Sequence, residues 1–434
     1  MTTHQHRHTR RIWVLLLALS AILSTSSAIA NEKAIHVPVQ FNGQHTSQLD
    51  DLVTITLDAM ASSQWLKAQR TAEQLSKQFP DYALGHFLLA EAHQTASRSA
   101  LLMDSSKLTL KTLDLLLEAR SRAELIGAAK QRLEHNVSES THTLHPAEII
   151  QIGSHIDNVV YVDLRSSTLY LFDTTGPASR LIKRFYISSG RGGYGKTVEG
   201  DLKTPLGVYR INGFRNDDSL PPLYGAGALM LNYPNKLDRS FGRTGSGIWL
   251  HGNPRSNRSR SPHSSEGCVT MANDHLLDLH QLLNHRRTHV ILASRSSWMS
   301  LEQQHALRER YQELFNQYRS AWLNNSVKDL MTIYSPDALP VHIQHANMAT
   351  AKRVSSSSMQ TKLAPDGLSL DALESVSPGS VSLLFNPDTG SSYTHLVMEF
   401  EAGGQNPLRM TLYWQRDSQG YWQIKREEID VSDV

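Results

Sequence analysis

Apolar residues recur at helical spacing along the first third of the chain. Leu52, Ile55 and Ala59 open the pattern, and Trp65, Ala68, Ala72, Leu75 and Phe79 carry it on. Pro80 interrupts it before Leu84, Phe87, Leu88 and Ala92 resume, which predicts helices over 48–97. Leu108, Leu113, Leu116, Leu117 and Leu125 predict one or two more over 104–135. Near residue 150 the texture changes to short β-rich runs: Val159–Leu164, Leu169–Phe172 and Leu181–Ile187. Arg165-Ser166-Ser167 separates the first two runs, Ser188-Ser189-Gly190 closes the third, and Gly, Pro and Asn punctuate short strands as far as Val290–Leu292. One helix is expected there, from Asp274 to Leu283. After about Ser300, Leu307, Tyr311, Leu314, Phe315, Tyr318 and Trp322 mark one face of a long amphipathic helix. A shorter helix, Val327 to Tyr334, follows, and a polar segment around Ser355 leads to four strand candidates: Val381–Phe385, Tyr393–Phe400, Leu408–Trp414 and Tyr421–Arg426. The expected fold class is multidomain: a helical domain at 31–148, a mostly-β domain at 149–296, and an α+β domain at 300–434.

The first 30 residues read differently. Arg7, Arg10 and Arg11 precede an apolar run from Ile12 to about Leu23, and Ala28-Ile29-Ala30 follows. A basic start, a short apolar core and small residues at A-x-A spacing predict a secretory signal peptide, cleaved after Ala30, and hence export to the periplasm. The apolar run is shorter than the roughly 20 residues of a membrane span. Without the leader, the 43 basic residues fall to 40 against 41 acidic ones, so charge gives no reason to expect a nucleic-acid partner.

The chain has one cysteine, Cys268. In an oxidising compartment a lone thiol is either buried or used. Its surroundings favour use. Gly247-Ile248-Trp249-Leu250-His251-Gly252 ends an apolar run in a histidine, and Cys268 follows Ser264-Ser265-Glu266-Gly267. A thiol attacks as thiolate, so it needs a base, and His251 supplies one. A helix starting just beyond Cys268 would favour the thiolate through its dipole. Gly267 permits a tight turn in which its N–H and that of Cys268 face a developing oxyanion. No H-E-x-x-H, second cysteine or phosphate-binding glycine loop is present, so no metal and no cofactor are expected. Gly190–Gly195 reads as a flexible flap beside the cleft.

The H-G and S-x-G-C pairing resembles the catalytic domain of the L,D-transpeptidase (YkuD-type) family, cysteine enzymes of peptidoglycan. Ser189-Gly190, the turn Gly200-Asp201-Leu202-Lys203-Thr204-Pro205-Leu206-Gly207-Val208-Tyr209, and Leu231-Asn232-Tyr233-Pro234-Asn235 are similar to the family's other motifs, in order, over about 157–294. The resemblance implies Cys268 as nucleophile, His251 as general base and acid, and the Gly252 carbonyl orienting the histidine. Ser265 and Gly267 would support the cysteine loop. Glu266 and Thr270 depart from the family, which commonly has His or Asp, and Arg or Asn, at those positions. Threonine cannot pair with a substrate carboxylate as a guanidinium does. Arg255, Arg258, Arg243 and Tyr233 are the substrate-binding candidates, with Arg260 and Lys196 as further cations and His263 as a rival base. The front helices are similar to a tetratricopeptide-like unit, and the rear to the nuclear-transport-factor-2-like (NTF2-like) fold. This arrangement resembles the subgroup that includes cell-shape L,D-carboxypeptidases.

The implied reaction is attack by Cys268 on a stem peptide, loss of D-alanine and formation of a thioester. An amine acceptor, on a second stem or an outer-membrane lipoprotein, completes a transpeptidation. Water instead completes an L,D-carboxypeptidase reaction. The rival of another class is a non-catalytic periplasmic scaffold, and a homodimer through the helical domain is a further expectation.

Overall fold

The computed structural model describes residues 52–93 and 144–431, apart from 54, 57, 58, 61–63, 81, 83, 84, 177, 256–259, 296, 345–363, 366, 388–393 and 404–406. All belong to the unit Val37–Val434. The expected leader, the helices expected over 104–135, the candidate Arg258 and the segment around Ser355 lie outside the described residues.

At the front, α1 (Trp65–Gln78) buries Ala68, Ala72 and Leu75 on one face and leaves Leu66 exposed. That is the one-sided burial its spacing requires. Residues 85–93 form α2. Leu75, Phe79, Tyr82, Phe87, Leu88 and Leu89 share a core with one residue from far along the chain, Tyr186.

Two short strands lead into the middle domain, β1 (Leu144–Pro146) and β2 (Ile149–Gln151). Then come β3 (Asn158–Asp163), β4 (Thr168–Asp173), β5 (Arg180–Tyr186), β6 (Ser189–Gly190), β7 (Gly207–Asn216) and β8 (Gly227–Leu231). A short helix, α3 (Lys236–Ser240), precedes β9 (Trp249–Gly252), β10 (His263–Ser265) and β11 (Val269–Met271). Helix α4 (Asn273–Leu282) and β12 (Thr288–Ala293) close the domain. Eight strands form one sheet in the order β11-β9-β8-β7-β12-β3-β4-β5. Only β11·β9 and β12·β3 are parallel pairs. β10 and β6 form a separate two-stranded parallel ribbon.

The rear of the chain starts with β13 (Trp298–Ser300), paired with β1, and runs into α5 (Leu301–Leu323). Ser300 and Gln303 form a capping box that fixes the start of α5. Tyr311, Phe315, Tyr318 and Trp322 are its buried face. α6 (Val327–Ile333) and α7 (Leu370–Ser375) precede β14 (Ser382–Phe385), β15 (His395–Ala402), β16 (Leu408–Arg416) and β17 (Trp422–Val431). These four strands form an antiparallel sheet completed at its edge by β2. Residues 149–153 are thus fastened to the rear sheet: Gln151 Nε2 donates to Pro378 O, and Gly153 N–H to Ser382 Oγ.

Side chains alternate across a strand, and this alternation explains how the two sheets meet. Val160, Val162, Leu169 and Leu171 face the core shared with β8, β9 and β11. Val159, Tyr161, Tyr170 and Phe172 face the other way, into a cluster with Leu384, Val397 and Tyr413 of the rear sheet. The rear sheet's opposite face, with Leu383, Leu396, Met398, Phe400, Leu412 and Trp414, packs on α5. β3 is therefore buried along its whole length. Trp322 and Trp414 are fully buried in the rear core, which Trp422 covers.

Candidate active site

β9 and β11 lie side by side and parallel, with His251 opposite Thr270 and Leu250 opposite Val269. Cross-strand partners share a face, and residues two apart along a strand share it too. Extending the alternation one residue before β11 puts Cys268 on the face of His251. The two also share neighbours. The Tyr224 ring lies 4.9 Å from the His251 ring and 5.0 Å from Trp249, and Cys268 acts on the Tyr224 hydroxyl. The Trp249 backbone N–H donates to the Cys268 sulfur, which itself lies 3.3 Å from the Gly247 carbonyl.

His251 is buried, and its Nδ1 sits 2.8 Å from the Gly252 carbonyl. A carbonyl oxygen only accepts, so Nδ1 carries the proton and Nε2 keeps a lone pair. Burial pushes His251 down to about 4, against the Gly252 bond that favours its charged form and with help from the Arg260 charge. Burial also pushes the half-buried Cys268 thiol up, opposed by the Trp249 N–H, Arg260 and Lys196. The resting pair is neutral thiol and neutral imidazole. The expected helix dipole does not change this: the strand β11 stands between Cys268 and α4, and dipole effects fade beyond a helix's first turn.

The cysteine loop is ordered by Ser265. Its hydroxyl donates to the Cys268 carbonyl (2.5 Å) and accepts the Gly267 N–H (3.1 Å). That second bond engages the Gly267 N–H inside the loop, where the sequence had suggested an oxyanion donor. Gly267 has φ +129, and a Cβ there would stand 2.8 Å from the Lys203 carbonyl. Only glycine meets both conditions. At Gly252 a Cβ would stand 2.1 Å from Asn273 Oδ1. Asn273 uses this space to accept the Ala226 N–H (2.8 Å) and donate to the Asn253 carbonyl (2.9 Å), tying β8, β9 and α4 together.

Of the cationic candidates, Arg255 pairs with Asp217, Arg243 with Asp238 (2.8 Å), and Lys196 with Asp201 (2.8 Å). Tyr233 is buried against Tyr209 and donates to the Thr244 carbonyl. None of Arg255, Arg243 and Tyr233 makes a described contact with Cys268 or His251, whereas Arg260 acts on both. His263 is held by Ser189 Oγ (2.8 Å) in the small ribbon. The Gly190–Gly195 segment is not a loose flap: Thr204 binds the Gly190 N–H through Oγ1, accepts the Gly195 N–H, and donates its own N–H to Gly193. Tyr224 and Asn273 were missed in the sequence. Tyr224 comes from a Pro-Pro-Leu-Tyr turn with no chemical signature, and Asn273 read only as a residue near a helix start.

Residues 157–292 match the family model of the YkuD L,D-transpeptidase catalytic domain. A search of curated protein sequences gives no match. Among solved structures, Bd1075 from Bdellovibrio bacteriovorus is 21% identical, covering 66% of this chain and 99% of that one, with a TM-score of 0.50. The helical cell shape determining protein Pgp2 from Campylobacter jejuni is 20% identical over 65% of this chain and 96% of that one, with a TM-score of 0.47. The central mostly-β domain is thus the part of the chain that is similar to the L,D-transpeptidase catalytic domain.

Proposed function

We propose that this chain is an exported, cysteine-dependent peptidoglycan enzyme that forms a thioester with stem peptides. The observation that carries this reading is the fixed tautomer of His251: Nδ1 is occupied by the Gly252 carbonyl, so Nε2 is left as base on the face shared with Cys268. The Cys268 Sγ–H proton passes to Nε2 as sulfur attacks the carbonyl of the third stem residue. His251 then returns that proton to the nitrogen of the departing D-alanine, and a thioester remains. An amine on a second stem or a lipoprotein resolves it in transpeptidation. Water resolves it in the carboxypeptidase reaction, which the half-buried, solvent-accessible Cys268 also permits. Either outcome remodels the wall and so bears on cell shape. The rear α+β region, read as NTF2-like, would carry the catalytic domain on its outer face.

The test is incubation of the purified protein and of Cys268→Ala with defined tetrapeptide muropeptides, followed by mass spectrometry. Cross-linked dimers identify transfer and tripeptides identify hydrolysis, in both cases absent from Cys268→Ala. No turnover and no acyl adduct on Cys268 would favour the scaffold reading.

A further inference from the structure

We propose that Arg260 reads a free carboxylate of the stem-peptide donor at the Cys268 site. This rests on the stem-peptide reading above and assigns its specificity.

The residue is held in place more firmly than a surface arginine. Its Nε donates to Ser264 Oγ at 3.1 Å, and Nη2 donates to the Ser264 carbonyl. Its own carbonyl accepts the Tyr186 hydroxyl at 2.8 Å. The next residues are fastened as well: the Ser261 carbonyl accepts Ser188 Oγ, and the Pro262 carbonyl accepts the Ser189 N–H. Tyr186 is itself stacked on His86 of α2 (4.5 Å, 6° between planes) inside the front helical core. Two elements far apart in sequence thus fix where this guanidinium stands.

The charges around the site single it out. Lys196, Arg243 and Arg255 each have an aspartate partner, and Arg191 meets the exposed Glu266 at 3.4 Å. Arg260 is half-buried, its guanidinium donates only to the neutral Ser264 among the described residues, and the one carboxylate whose charge acts on it, Glu266, is paired with Arg191. Nη1 has no hydrogen bond among the described residues. Burial works against its charge, and that charge acts on both Cys268 and His251. A desolvated guanidinium held by neutral groups favours an anionic ligand that accepts from its open edge. Thr270, buried beside His251 in the strand pair, offers no such charge. The carboxylate is either the C-terminal one of the tetrapeptide or a side-chain one on the third residue.

The experiment compares three donors: the free tetrapeptide, its C-terminal amide, and a form whose third residue lacks the side-chain carboxylate. Each is assayed with the wild type, Arg260→Gln and Arg260→Lys. One neutralised donor should lose roughly 10–100-fold in kcat/KM with the wild type, as expected for one charge-assisted contact. Arg260→Gln should lose the same factor on the free tetrapeptide and cease to distinguish the two. Arg260→Lys should recover only part of it, because a point charge replaces a fork. Wild-type indifference to both neutralisations, or discrimination that survives in Arg260→Gln, would overturn the proposal. Absence of turnover of every donor by the wild type would instead defeat the stem-peptide reading.

Discussion

His251 donates from Nδ1 to the carbonyl of Gly252, its neighbour in the same strand, at 2.8 Å. The backbone of β9 thereby does what an acidic side chain does in other catalytic groupings: it selects one tautomer and one ring orientation. A carbonyl brings no full charge, so burial prevails and holds His251 down to about 4.

The first prediction concerns pH. Because the folded His251 stays neutral down to about 4, the acid limb of kcat/KM for acylation should lie near 4 and not near the ordinary 6.5. The same shift acts on stability. The unfolded chain binds a proton at His251 below about 6.5 and the folded chain only below about 4. Stability therefore falls as pH drops through that window, by about 3 kcal/mol from this group. Unfolding by urea at several pH values, with His251→Gln as reference, measures this contribution.

Thiol reactivity gives the second prediction. Burial raises Cys268, so its alkylation by iodoacetamide should rise with pH along a curve centred above the ordinary thiol range. An inflection near neutrality would reveal a standing thiolate–imidazolium pair and contradict the neutral resting state. Substrate acylation should still proceed at neutral pH, since proton transfer accompanies attack.

Removing the base separates roles. His251→Gln should retain the fold yet lower the acylation rate by about 10²–10⁴-fold, the range for general-base loss. Cys268→Ala should abolish acylation outright. Intact-mass measurement of the acyl adduct, alongside thermal melting, distinguishes these effects from unfolding.

Gly267→Ala tests the cysteine loop. The new Cβ meets the Lys203 carbonyl at 2.8 Å and the backbone stands at φ +129. A cost of about 1–3 kcal/mol is expected, visible as a lower melting temperature, together with slower acylation as Cys268 shifts. Ser265→Ala should slow acylation with a smaller loss of stability, because it removes hydrogen bonds to Gly267 and Cys268 without a clash.

Glu399 is the last case. This buried carboxylate of the rear sheet lies 3.3 Å from His155 and 3.2 Å from His289 of the middle domain, with Arg409 and Thr411 beside it. Burial alone would raise its pKa, yet the charges and hydrogen bonds of the two histidines hold it well below the usual carboxylate value. Its contribution is therefore present above about 4.5 and fades as pH falls toward that lower value. Glu399→Gln should destabilise by about 3–5 kcal/mol at neutral pH, read by chemical unfolding.

Much of this was legible in the sequence because it rests on local rules. Apolar spacing marked α1 and the buried face of α5, while short β-rich runs separated by turn residues marked β3 and β4. The lone thiol, with glycine before it and a histidine at the end of an apolar run, marked Cys268 and His251 as candidates. What the sequence could not supply was everything set by non-local packing. Strand β2 joins the rear sheet through a pairing more than two hundred residues away, and nothing in Ile149–Gln151 encodes that partner. Charge partners are decided the same way. Arg255 and Arg243 looked as available as Arg260 until folding brought Asp217 and Asp238 to them and left Arg260 with serine. The resting protonation of Cys268 and His251 is likewise a matter of burial, a property of the folded chain and not of residue type. Residue chemistry named a candidate nucleophile and base, and the tertiary structure decided their protonation state, because desolvation and charge pairing exist only once distant segments meet.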